Sequence, residues 1–182
     1  MLSVVLLPRN TQNMCGAHIY RPAGMNETDW PTRDPRLNAV GYTLLDAPPT
    51  GERQRTEPLH GAQQSTVRDL IQFALALQVC RLMSPAYVEL LITGKESMEP
   101  SRPPVVAYGF LDRRVNGVRI IENSGGAPGI NEALSFHPES GYAVAVLANY
   151  DPPAATDVAR TIEQHLLELG MRRAAARSVR WM

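Results

Sequence analysis

Asn123, Ser124, Gly125 and Gly126 stand side by side in "IIENSGGAPGINEAL", the stretch from Ile120 to Leu134. A carboxamide, a hydroxyl and two residues without side chains, set between apolar runs, admit more than one kind of chemistry. The plainest reading is none at all: a glycine-rich connection in which Gly125, Gly126 and Gly129 supply positive φ. A second is a nucleophile elbow, G-x-S-x-G, with Ser124 attacking and Asp151 or Asp157 and then His165 following in chain order. Two features oppose it. Glu122 occupies the first glycine position, and Ala127-Pro128-Gly129 leads toward a strand where an elbow requires a helix. His165 also falls within an amphipathic helical pattern, the usual setting of a surface imidazole. A third reading depends on what the rest of the chain resembles.

Elsewhere the reactive residue types are isolated. Cys15 and Cys80, the only cysteines, form neither a disulfide framework nor a zinc site and are expected as unpaired structural thiols. His18 and His60 stand alone, and His137 precedes a turn proline, where exposure is expected. Trp30 and Tyr42 are better suited to pinning a long loop to the core than to stacking on a ligand. There is no metal-ligand spacing and no phosphate-binding glycine loop, so neither metal nor cofactor is expected.

The elements that must position these residues follow from composition and period. At 182 residues, 44% hydrophobic and 20% charged, the chain is globular rather than disordered and long enough for one domain. Zero net charge gives no general attraction to nucleic acid or an anionic membrane. No run of about 20 apolar residues occurs, so no membrane span is expected. "MLSVVLLPRN" lacks a basic lead and a small-residue cleavage site and is not read as a signal peptide, which leaves the compartment open.

Residues 26–64 are dense in Pro, Gly, Asp and Arg and read as an irregular loop region with one strand candidate near Val40–Leu45. Residues 65–104 read as helical. Val67, Leu70, Ile71, Ala74 and Leu75 recur at helical spacing behind a Thr66–Asp69 capping box, and Ser84-Pro85 opens a second helix. From Val105 the period becomes two. "VVAYGFL" reads as a strand, Asn116-Gly117 as a type I′ hairpin turn, and "PESG" as the turn before "YAVAVLANY". A closing helix from about Asp157 to Leu169, ended by Gly170, would lay Val158, Ile162, Leu166 and Leu169 on the sheet. Residues 171–182 form a tail, either frayed or a helix extension. The order of elements defines an α+β fold, an antiparallel meander with flanking helices.

On these residues the chain resembles a known family. "NSGGAPGINEALSFHPESGYAVAVLANYDPPAA" closely resembles the C-terminal part of the β-lactamase-related serine hydrolases, which include class C β-lactamases, penicillin-binding-protein-like esterases and D-aminopeptidases. "HIYRPAGMNETDW", "NAVGYT" and "STVRDLIQFALAL" resemble the family's upstream segments, in family order. The resemblance covers about His18 to Leu169 and implies a partial β-lactamase/transpeptidase-like fold. It also implies acyl transfer on β-lactam, ester or D-peptide substrates. By this likeness Asn123 takes the first position of the family's strand motif, Ser124 the middle one and Gly125 its glycine, and Gly126 is the oxyanion-hole donor.

The family's other two elements are absent from this sequence. The nucleophile motif S-x-x-K needs a lysine, and the only one, Lys95, follows Ile92 by three. Ser65 with Arg68 imitates the spacing, but a guanidinium with a pKa above ~12 cannot serve as a base. No tyrosine or serine is followed two residues later by Asn. Asn123 itself cannot carry charge where the family has His or Lys. The expectation is a single incomplete domain over 1–182, with 1–25 a degenerate N-terminal segment. The chain is expected to be a serine hydrolase homologue with its activity reduced or lost, the alternative being a non-catalytic peptide- or acyl-ligand-binding module or a fragment completed by another chain, and its exposed sheet face is expected to self-associate.

Overall fold

The computed structural model describes residues 11–29, 39–42, 63–99 and 102–178. Trp30, His60 and half of the strand candidate at 40–45, residues 43–45, lie outside them. Of that candidate, Tyr42 forms only an isolated parallel bridge to Tyr150.

The helical layer begins with α1 (Thr11–Cys15), a π-helical turn (Gly16–Tyr20) and α2 (Arg21–Ala23). Gly24 closes this run in the left-handed conformation, φ 80°, with its N–H on the Arg21 carbonyl. Next comes α3 (Val67–Gln78), whose Thr66 accepts the Asp69 N–H at 3.2 Å as expected of an N-cap. The reciprocal half of the box is not made. The buried Asp69 carboxylate instead takes the Glu27 N–H and the Thr28 hydroxyl, both at 2.7 Å, which fastens residues 27–28 onto α3. In α4 (Pro85–Ile92) Pro85 holds the first position, but the Ser84 side chain makes no cap bond.

Six strands follow in chain order, each antiparallel to the next: β1 (Glu96–Glu99), β2 (Arg102–Val106), β3 (Leu111–Val115), β4 (Val118–Ala127), β5 (Ile130–Phe136) and β6 (Ala143–Ala148). The meander is as expected, with two corrections. The stretch 96–104, expected to be helical, holds β1 and the start of β2. "VVAYGFL" is not one strand: Gly109, at φ 77°, breaks it, and Ala107 N–H bonds to the Phe110 carbonyl to close a turn. At the next turn Asn116 and Gly117 both have positive φ, 51° and 83°, as a type I′ turn demands.

Strand alternation sorts the sheet's side chains onto two faces. Ile121, Leu134 and Phe136 point toward α3 and α4 and pack with Ala74, Leu77, Val88 and Ile92, with Phe110 edge-on to Phe136 at 5.8 Å. Ala133, Val144 and Val146 point the other way, against Ala159 and Leu166 of α5 (Ala154–Ser178). That helix runs through Gly170, which does not end it. Its buried stripe is Ala155, Ala159, Glu163 and Leu167; Val158, Ile162 and Leu169, expected on the sheet, are exposed. Small residues win the sheet-facing positions because Ala155 and Ala159 let the helix approach the strands closely.

His137 is the other correction. Instead of being exposed it is 1% accessible, because the end of β5 passes beneath α5. Burial lowers its pKa from 6.5, the Arg113 guanidinium adds to this, and Glu163 opposes it. The folded state therefore holds the ring neutral while the unfolded chain protonates first as pH falls. Stability should be complete above about pH 6.5 and be lost as pH drops through the folded value. Thermal melts from pH 8 to pH 4.5 check this, and a His137→Phe variant should show a flatter acid limb.

Candidate functional site

Residues 123–126 are neither a loop nor an elbow. They belong to β4, paired residue for residue with β5: Asn123 with Leu134, Ser124 with Ala133, Gly125 with Glu132 and Gly126 with Asn131. The turn comes two residues later, at Pro128-Gly129, where Gly129 has φ 74°. His165 does not approach Ser124; its Nδ1 contacts the Thr161 carbonyl at 2.8 Å on the exposed side of α5. The triad reading has no geometric support.

β4 is longer than its neighbour on the other side. β3 begins at Leu111, opposite Glu122, so among the described residues Ser124 to Ala127 run past it with a margin open to approach. Ladder alternation decides which groups face that margin. Two-residue turns close at Val115–Val118 and at Ala127–Ile130, so even-numbered residues of β4 direct N–H and C=O away from β5. The backbone of Ser124 and Gly126 therefore faces the open margin. Asn123 borders it, with Nδ2 donating to the Gly109 carbonyl at 2.7 Å.

Three contacts fix this margin in place. Asn131, buried beneath Gly126, donates from Nδ2 to the Gly125 carbonyl at 2.8 Å, while its Oδ1 accepts the Ala155 and Thr156 N–H groups at 2.7 and 3.3 Å. One side chain thus caps α5 and braces β4. Gly126 has no room for a Cβ, which would overlap Pro152 Cγ. Residues 39–42 lie against the turn: a Cβ on Gly41 would be 2.6 Å from the Gly129 carbonyl, Asp151 holds the Gly129 N–H at 2.6 Å, and Tyr42 stacks on Tyr150 at 5.7 Å. Tyr42 is therefore engaged in pinning its segment.

Charge around the margin is uneven. Glu132 shares a face with Asn123 and Gly125, and its Oε1 would lie 3.0 Å from a Cβ on Gly125. Sequence reasoning missed Glu132 and Asn131, although strand alternation opposite Gly125 and Gly126 carried the signal. On the α5 face, Ser124 borders a hollow of about 40 Å³ with Thr156, Arg160 and Glu163, roughly the room for one water. Lys95, the sole lysine, sits over the ring of Tyr108 at 5.7 Å, and Tyr108 adjoins the Gly109 whose carbonyl Asn123 holds. Cys15 and Cys80 are free thiols. Among the described residues no helix is long and apolar enough to cross a membrane.

An antiparallel sheet between α3–α4 and α5, with a braced, half-open strand at its margin, defines a transpeptidase-like architecture. A family model described as Beta-lactamase matches residues 9–169, and the chain belongs to that family. Solved structures agree on the fold. A penicillin binding protein from Bacillus halodurans superposes with a TM-score of 0.66 at 24% identity, over 84% of this chain and 49% of that one. The D-amino acid amidase from Ochrobactrum anthropi SV3 gives 0.66 at 21%, over 84% and 51%. The octameric penicillin-binding protein homologue from Pyrococcus abyssi gives 0.72 at 20%, over 86% and 37%. This chain therefore spans about half of these structures or less. No curated protein matches it.

Proposed function

We propose that this chain is a β-lactamase-related ligand-binding module that holds an acyl or peptide ligand along the open margin of β4 and does not turn it over by the family's route. The observation that carries the reading is the overhang of β4 past β3, which leaves the Ser124 and Gly126 backbone facing outward beside Asn123. An extended ligand adds to such a margin as a further strand, with main-chain hydrogen bonds supplying affinity. Gly126 is the oxyanion donor of this reading, and Asn123 to Gly125 the strand motif.

Turnover fails for lack of an attacking group, because this sequence pairs no serine with a lysine three residues on. A preformed donor without a nucleophile has little to stabilise. Charge supports a ligand with a free amine over one with a carboxylate: Asn123 supplies no cation, and Glu132 supplies an anion on the same face. A hydrolase completed by another chain would share the margin but acquire a nucleophile.

Incubation with a fluorophosphonate and with a penicillin, followed by intact-mass measurement, tests the chemistry; no covalent adduct is expected. Titration with a D-amino-acid peptide bearing a free amine should show saturable binding. Ser124→Pro removes one outward donor without touching the β4–β5 ladder and should weaken that binding about tenfold. A stable acyl adduct on this polypeptide would overturn the inactivity, and absence of binding would overturn the module.

A further inference from the structure

The end of the sheet away from the candidate site carries a second hollow. β4 starts at Val118 and reaches Gly126 eight residues on, so this end stands roughly 26 Å from the open margin. A cavity of about 210 Å³ lies there between the strand ends and α5. Val118, Tyr142, Leu166, Leu167 and Gly170 give it an almost wholly apolar lining, joined by His137 and by the exposed Ser140.

Two features of this cavity point to a ligand. The first is His137, whose Nε2 is buried and has no hydrogen-bond partner among the described residues. A buried polar atom in that condition is uncommon, because nothing offsets its desolvation. Strand parity puts His137 on the same face as Ala133, under α5, and Nε2 is at the end of the ring remote from the main chain. The nitrogen is thus carried toward the space beneath Leu166 and Leu167. The second feature is Gly170, four residues after Leu166 and three after Leu167, hence on the same side of the helix. A Cβ there would meet nothing within 4 Å, so a side chain is missing where one would fill the cavity.

Size, lining and the lone polar atom define the occupant. An apolar cavity of about 150 Å³ takes up benzene, so about 210 Å³ holds one aromatic ring with a small substituent. A neutral imidazole offers at Nε2 either a proton or a lone pair, and a hydroxyl group can answer both. Burial, helped by the Arg113 guanidinium and opposed by Glu163, keeps this ring neutral. Arg113 is itself bonded to Glu122 and Glu163, so it offers no counter-charge to an ionised ligand. We propose that this cavity is a binding site for a small neutral phenol, its ring packed against Val118, Leu166 and Leu167 and its hydroxyl hydrogen-bonded to His137 Nε2. The site is separate from the β4 margin and does not depend on what binds there.

Phenol and toluene have nearly the same shape and differ by a hydroxyl against a methyl group. Titration of the full chain with each, followed by methyl-resolved NMR, should show saturable shifts at Val118, Leu166 and Leu167. The Kd for phenol should be on the order of 1 mM or tighter. Toluene should bind about tenfold more weakly, because it leaves Nε2 without a partner. His137→Leu should abolish that preference. Gly170→Leu, at an exposed helical position, should block both ligands by filling the cavity, with an unchanged far-UV spectrum. The proposal is overturned if phenol produces no saturable shift at these methyls, or if phenol and toluene bind equally well. Gly170→Leu that binds phenol as the natural chain does overturns it too. The phenol–toluene comparison and Gly170→Leu leave the buried ring untouched, so they decide the matter even where His137→Leu does not fold.

Discussion

Replacing Arg113 with methionine should destabilise the protein by about 3–5 kcal/mol, the range for removing one partner from a buried ionic cluster. Arg113 reaches up from β3 beneath α5, with Nε on Glu122 at 2.7 Å and an Nη2 contact to Glu163. Glu163 is 4% accessible, on the sheet side of the helix. Without the guanidinium that carboxylate keeps its desolvation cost and loses its counter-charge, and Glu122 loses its hydrogen bond. The pair need not favour folding over an apolar pair, and this supplies the control. Arg113→Met combined with Glu163→Leu should recover most of the loss, because both buried charges are gone. Urea unfolding of the two single variants and the double variant measures the coupling. A loss below about 1 kcal/mol in Arg113→Met would show the cluster to be well solvated.

Asn131→Leu should cost about 3 kcal/mol and is the change that reaches the candidate site most directly. It conserves bulk but orphans the buried Ala155 N–H, removes the acceptor of Thr156 N–H, and leaves the Gly125 carbonyl with only its ladder bond to β5. Asn131→Asp separates the two roles. The carboxylate still accepts from the first turn of α5, where the helix dipole favours negative charge, but it cannot donate to Gly125. An intermediate loss of about 1–2 kcal/mol is expected, with hydrogen exchange accelerated at β4 and unchanged along α5. Equal losses in both variants would mean that the brace on β4 contributes nothing.

These two residues also mark where reading the chain stops being sufficient. Arg113 is one of a pair of adjacent arginines in a strand, and nothing local separates it from Arg114, which bonds to Glu139 at 3.2 Å in the open. Their difference is strand parity combined with the position of a helix 50 residues later. Asn131 likewise reads as the polar member of an alternating strand, and it becomes a helix cap only when α5 starts beside it. For α5 the hydrophobic pattern was misleading. Val158, Ile162 and Leu169 form the more apolar stripe, but close approach to the sheet selected Ala155 and Ala159.

What could be read from the chain was local or carried by likeness. Thr66 as a cap, the paired positive φ of Asn116 and Gly117, the meander after Val105 and the β-lactamase relationship all rest on neighbours within a few residues or on motif order. So does the lack of a lysine three residues after any serine, because it depends on no coordinates. Folding had to settle which face each side chain takes and where β3 ends against β4. Those outcomes depend on strands and helices meeting across long separations, and a period of two or 3.6 gives a face without naming its partner.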